Sequence, residues 1–210
     1  MNFHAYAAHS QGAQLRPFEY EEAELGPWQL VVRITHCGIC HSDVHLIDNV
    51  GGLGHLSLQF ARAFGCEVTA FSTRSEKHEE ARGFGAHHFV LSDDASAMRK
   101  EQASLDVLIC TVHAELDWAA WFRTLRPKGT LCFLSGLAGP VNIPTGALMS
   151  GHRSITGSTI GDRSTMTEML ECAALHGIGA RVEKRPITEV NLAVQRVREG
   201  RARYRMVLEM

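Results

Sequence analysis

The sequence predicts an α/β fold, a parallel sheet with flanking helices, entered through a shorter β-rich segment. Three observations predict it. From Gly51 onward short apolar runs alternate with helical patterns, the rhythm of successive βαβ units. Val50-Gly-Gly-Leu-Gly54 sets a glycine-rich turn at the head of one such helix, ahead of a strand pattern at Val68. Leu105-Asp-Val-Leu-Ile-Cys110 has the nearly continuous apolar character of a strand covered on both faces.

The elements follow in order. Gln29 to Thr35 is rich in β-branched residues and follows the turn signal Gly26-Pro27, which predicts a strand. Leu56, Phe60 and Phe64 recur every four residues and predict one buried face of a helix that Gly65 ends. A strand over Val68 to Phe71, a helix from Glu76 to Gly83 and strands at His88 to Leu91 and Leu105 to Cys110 come next. Trp118, Trp121, Phe122 and Leu125 line a further helix, Pro127-Lys-Gly129 turns the chain, and Thr130 to Leu134 supplies another strand. After Gly161, helices around Thr167 to His176 and Asn191 to Arg198 flank a charged strand. Arg203 to Leu208 closes the chain, as though it returned to a different domain.

The chain has 210 residues, 45% of them hydrophobic and 21% charged, which is enough apolar material for a real core. The 21 Lys and Arg against 23 Asp and Glu, without a basic run, argue against nucleic acid or an anionic membrane and for small molecules as partners. The start Met-Asn-Phe-His-Ala-Tyr has no basic segment leading into an apolar one, and no window approaches a bilayer span, so the expected location is cytoplasmic. The six cysteines form no disulfide-scaffold pattern, and only Cys37 and Cys40 are clustered.

In the glycine-rich turn the second and third glycines of G-x-G-x-x-G map to Gly51 and Gly54, while the first position is Asn49. A dinucleotide fold commonly ends its next strand on an acid that binds the ribose 2′-hydroxyl. Here Ser72, Thr73 and Arg74 stand there instead, followed by Lys77, hydroxyls and cations suited to a 2′-phosphate. The competing reading is a solvated helix start in which Ser75 caps and Lys77 faces water. His36-Cys-Gly-Ile-Cys-His-Ser-Asp-Val-His45 packs two thiols, three imidazoles, a hydroxyl and a carboxylate into one segment. Half of a structural zinc site, a thioredoxin-like redox pair and a haem attachment site all fit parts of it.

That segment resembles the one bearing the first catalytic zinc ligand in zinc-dependent medium-chain alcohol dehydrogenases (medium-chain dehydrogenase/reductase enzymes) of the cinnamyl-alcohol-dehydrogenase type. Gly51-Gly-Leu-Gly54, Ser72-Thr73-Arg74 with Lys77, Ser154-Ile-Thr-Gly-Ser158 and Arg203-Tyr-Arg205-Met-Val resemble family motifs as well. The resemblance implies an oxidoreductase that moves hydride between NADP(H) and a primary alcohol or aldehyde, with zinc polarising the oxygen. It implies Cys40 as metal ligand, Ser42 and His45 as proton relay and Asp43 as the carboxylate behind them. It also implies His41, Gly51, Gly52, Leu53, Gly54, Ser72, Thr73, Arg74, Lys77 and Arg205 as cofactor contacts. A homodimer is compatible with it.

The implied fold is a Rossmann-like dinucleotide-binding domain over 50–161 and a truncated GroES-like barrel remnant over 1–49 and 162–210. The resemblance runs in two blocks joined near residue 49, where the family has much more sequence. A Gly-His-Glu motif with two more zinc ligands, a further Cys ligand, a four-cysteine lobe and the first strand of the nucleotide sheet have no counterpart. Val44 to Ile47 is the available substitute for that strand. A catalytically silent NADP(H)-binding remnant and a Cys37/Cys40 redox protein are the competing functions.

Overall fold

The computed structural model describes residues 2–10, 13–21, 26–28, 30–39, 53–112, 114–135 and 139–210. In chain order its elements are β1 (Asn2–Ala7), β2 (Arg16–Glu21), β3 (His36–Ile39), α1 (Gly54–Ala63), β4 (Thr69–Ser72), α2 (His78–Gly83), β5 (His88–Leu91) and α3 (Ala95–Lys100). There follow β6 (Leu105–Cys110), α4 (Trp118–Phe122), β7 (Leu125–Phe133), α5 (Thr145–Met149), β8 (Ser154–Gly157), α6 (Arg163–His176), β9 (Val182–Pro186), α7 (Val190–Arg198) and β10 (Arg205–Glu209). Two units emerge, Met1–Val44 with Val182–Met210, and His45–Arg181. Helix α6, which the sequence reading grouped with the barrel remnant, falls in the second.

In the first unit β1 and β2 form an antiparallel pair, and β10 lies between β3, antiparallel to it, and β9, parallel to it. Helix α7 covers this sheet because Val190, Ala193 and Val197 recur at helical spacing. They pack with Ile39, Met206 and Leu208 into one buried cluster. Asn191 fastens the β1–β2 connection, accepting from the Leu15 N–H and donating to the Leu15 carbonyl, both at 2.8 Å. The strand predicted over 29–35 does not form across 30–35. Leu30, Val32 and Ile34 are 76, 65 and 55% exposed, and pairing begins only at His36, where β10 offers a ladder.

In the second unit every strand pair among the described residues is parallel, as the alternating pattern predicts, and those strands pair as β4-β5 and β6-β7-β8. The core divides in the same way. Ala70, Ala81 and Ala86 gather with Leu58 and Phe89, while Leu108, Cys110, Trp118, Phe122, Leu125 and Leu131 form a second cluster.

Two expectations fail here for physical reasons. Phe64 is 71% exposed, and α1 turns Leu58 toward the sheet and buries Gly54 and His55 at its head. Pro127-Lys-Gly129 does not turn the chain back but lies inside β7, with Lys128 at φ 67° and its N–H donating to the Gly151 carbonyl at 2.7 Å. Gly129 suits this crowded position, since a Cβ would stand 3.0 Å from the Arg126 carbonyl oxygen and 3.2 Å from that of Asp106. Leu125, expected to line the helix, is therefore the first residue of β7, with no exposed surface. Among the described residues no helix is long and apolar enough to cross a membrane.

Candidate functional site

Strand β4 is short and half-buried, with Ala70 and Ser72 facing inward on alternate positions. That periodicity leaves Ser72, 4% exposed, at the C-terminal end of the strand, the end where open parallel sheets bind ligands. The Ser72 Oγ accepts from the Arg74 N–H at 3.1 Å, and the Ser72 carbonyl accepts from the Ser92 N–H of the next strand end at 3.0 Å. The chain then makes a 3-10 turn over Ser75–Lys77 that runs directly into α2.

This turn differs from a solvated, serine-capped helix start. Arg74, extended at φ −117° and ψ 112°, holds the capping position without a side-chain cap bond, and Lys77 is only 4% exposed. Thr73 is exposed and Arg74 half-buried, so hydroxyls and cations are gathered within six residues. Glu76, the carboxylate of this segment, is exposed. The donor set suits a phosphate monoester, and Arg can engage one through two parallel N–H bonds.

Leu53 and Gly54 open α1. Among the described residues no side chain caps this helix and no acid occupies its first turn, so the partial positive charge of its N-terminus is not offset there. By contrast α3, α4 and α6 are capped by Asp94, Asp117 and Asp162, whose carboxylates accept from backbone N–H groups at 2.7 to 3.2 Å. Two side chains that the sequence does not single out hold α1 in place. His55, with no exposed surface, accepts at Nε2 from the Arg181 N–H at 3.1 Å and meets Phe84 edge to face at 5.3 Å. Gln59 donates to the Gly179 carbonyl at 3.2 Å. A His beside a helix-opening glycine was the available signal.

A cleft of about 580 Å³ lies between Ser75, His78, β5 and α3, and one of about 270 Å³ lies beside Trp118 and Gly139. Ser72, Thr73, Arg74 and Lys77 line neither. Arg205 belongs to the first unit, where its guanidinium donates to the Ile39 carbonyl at 3.2 Å. Cys40, His41, Ser42, Asp43, His45, Gly51 and Gly52, and the substitute strand Val44 to Ile47, lie outside the described residues. Cys37 is an exposed free thiol on β3. Among the described residues no three His, Cys, Asp or Glu side chains are grouped to hold a metal ion. The implied zinc finds no ligand set among them.

Comparison with known proteins places these features. A family profile described as zinc-binding dehydrogenase matches residues 52–174. An aldehyde reductase, AdhA, of Synechocystis is 38% identical over 162 residues, covering 77% of this chain and 48% of that protein. Cinnamyl alcohol dehydrogenase 7 of Oryza sativa is 37% identical over 175 residues, 82% of this chain and 46% of the rice protein. A cinnamyl alcohol dehydrogenase structure from Sorghum bicolor superposes with a TM-score of 0.73 at 34% identity, covering 77% of this chain and 46% of the sorghum chain. A Helicobacter pylori CAD structure, solved in complex with NADP(H), gives 0.66 at 25% identity, covering 77% of this chain and 46% of that one. The chain thus spans about half the length of the curated relatives it matches. With the profile covering more than half of its residues and relatives above 30% identity over most of it, the chain belongs to the zinc-binding dehydrogenase family, among relatives of the cinnamyl-alcohol-dehydrogenase type.

Proposed function

We propose that this chain is an oxidoreductase of the alcohol dehydrogenase type, using NADP(H) and a primary alcohol or aldehyde. The observation that carries the cofactor choice is the end of β4. Ser72 and Lys77 are buried there with Arg74 between them, where an NAD-preferring site has a carboxylate. The H. pylori relative solved with NADP(H) and the aldehyde reductase and cinnamyl alcohol dehydrogenase names of the sequence relatives support the same reading.

In this reading the backbone N–H groups of Gly51, Gly52, Leu53 and Gly54 receive the pyrophosphate at the uncapped start of α1. Ser72, Thr73, Arg74 and Lys77 hold the 2′-phosphate; His41 and Arg205 are cofactor contacts on the resemblance alone. When bound, the nicotinamide supplies or accepts the hydride. The Ser42 hydroxyl takes the proton of the alcohol and the His45 imidazole passes it outward, with Asp43 orienting them. Cys40 is the metal ligand that the resemblance implies, and among the described residues no three His, Cys, Asp or Glu side chains are grouped to hold a metal ion. The nucleotide domain takes in 50–161 together with α6, up to Arg181, and Met1–Val44 with Val182–Met210 form the reduced catalytic domain. A cytoplasmic homodimer acting on small molecules accompanies this reading.

The test is titration with NADPH and NADH, followed by NADPH oxidation against aromatic and aliphatic aldehydes. At least tenfold tighter NADPH binding and aldehyde-dependent turnover are expected. Equal affinity for the two cofactors would remove the phosphate role of Ser72, Arg74 and Lys77. Tight NADPH binding without turnover would leave a cofactor-binding protein and end the oxidoreductase reading.

A further inference from the structure

Residues 30–34 lead into β3 within the first unit. The ladder between β3 and β10 begins at His36, and beside it the Met210 N–H donates to the Thr35 carbonyl at 3.0 Å. From Leu30 to Ile34 no backbone group has a hydrogen-bond partner among the described residues. The side chains are uncovered as well. Leu30, Val32 and Ile34 are 76, 65 and 55% exposed, and Val31 is 47% exposed. An apolar, mainly β-branched run without proline, in which Arg33 is the one charge, is the kind of edge that folded proteins either pair or blunt.

The alternation of the run decides which partner fits it. In an extended chain Leu30, Val32 and Ile34 share one face, and Val31 and Arg33 share the other. Set antiparallel to its own copy about Val32, the segment places Leu30 opposite Ile34 and Val32 opposite Val32. One face of the pair is then wholly apolar, with three side chains from each copy. On the other face each Arg33 stands opposite a Val31, which keeps the two guanidinium groups apart. A parallel, in-register pair would set Arg33 against Arg33, and like charges directly opposite are destabilising. The segment is therefore complementary to itself in one register, as an isologous contact across a two-fold axis requires.

We infer that residues 30–34 are a self-association surface of this chain, a strand that forms when it pairs antiparallel with the same segment of a second copy. The inference rests on the homodimer of the proposed function and names its surface, while the cofactor reading is independent of it. It also gives a reason why composition predicts a strand over 29–35 that the single chain does not form across 30–35: the ladder partner is on another molecule. A contact between two such short segments is smaller than a standard interface of about 1,200–2,000 Å², so the dimer depends on concentration.

Sedimentation equilibrium of the full chain across about 1 μM to 1 mM reads the association. A monomer–dimer equilibrium is expected. Val32→Lys sets two like charges opposite one another at the centre of the pair and should weaken it by about tenfold or more. Val31→Glu places a carboxylate opposite Arg33 of the second copy and should keep or tighten the dimer, whereas Val31→Lys should weaken it. Circular dichroism shows whether each variant remains folded, and Leu30→Lys serves if Val32→Lys does not. A monomer at every concentration would overturn both this inference and the homodimer. A dimer indifferent to Val32→Lys would overturn the inference and leave the homodimer on another surface. Weakening by Val31→Glu would overturn the pairing about Val32, and species larger than a dimer would overturn the closed pair.

Discussion

The Arg74 N–H donates to the Ser72 hydroxyl at 3.1 Å, so the backbone leaving β4 folds over the serine side chain. The bond engages a lone pair of Oγ and leaves the hydroxyl hydrogen available to a ligand. It also fixes the backbone from which the half-buried Arg74 side chain departs. Arg74→Ala keeps the backbone bond and removes only the guanidinium. A charge-assisted hydrogen bond contributes about 1.5–3 kcal/mol, so NADPH is expected to bind roughly 10- to 100-fold more weakly. NADH affinity should change less than about twofold, and titration at two salt concentrations checks both, the NADPH loss shrinking as salt rises.

His55 accepts from the Arg181 N–H across 126 residues of sequence and has no exposed surface. His55→Phe keeps a ring against Phe84 but leaves that part-buried N–H without its acceptor. The expected cost is about 1–3 kcal/mol of stability. Urea unfolding followed by circular dichroism measures it, as a lower midpoint with an unchanged slope. A variant as stable as the parent would show that the bond is replaced by water.

These two cases mark what the sequence carried. The strands at His88 to Leu91 and Leu105 to Cys110 were legible to the residue, because continuous β-branched and apolar runs between helical patterns have few alternatives. Ser72, Arg74 and Lys77 were legible as chemistry because a strand end without an acid is a local signal. The partner of His55 was not, since it depends on a segment far along the chain. The strand at 29–35 was misplaced because a ladder partner, not composition, decides where pairing starts. The bulge at Lys128 was hidden because Pro-Lys-Gly reads as a turn unless the Gly151 carbonyl is known to receive its N–H. The relay and the metal ligand stand on resemblance alone.

Helix α6 begins at Asp162, whose carboxyl is held below the usual carboxylate range, chiefly by the Thr165 backbone N–H, with the Thr165 hydroxyl and the Ser164 N–H adding to it. A folded-state value below the unfolded one means that the stabilisation is fully present above the unfolded value, near pH 4. It is lost as pH falls through the lower folded value. Asp162→Asn retains a neutral cap and removes the charge that complements the helix dipole. The variant should melt below the parent at pH 6 to 7, and the difference should close as the solution is acidified through pH 4. Thermal melts across that range are the check, and a gap that widens on acidification would reverse the sign of the argument.

The split core sets the last expectation. Leu131 lies on β7 with no exposed surface, inside the cluster formed by Leu108, Phe122 and Leu125. Leu131→Ala removes buried methyl groups and leaves a cavity, at a cost of about 2–5 kcal/mol. Val107, on the neighbouring strand, is paired in register with Thr130 yet 57% exposed, so Val107→Ala should fall within about 0.5 kcal/mol. In an unbroken parallel sheet the two strands would be covered alike, and trimming the valine would cost more, since each buried methyl group lost costs on the order of 1 kcal/mol. Chemical unfolding of the two variants therefore reports whether the open face of β6 persists in solution. A Val107→Ala loss above about 1.5 kcal/mol would mean that something covers it.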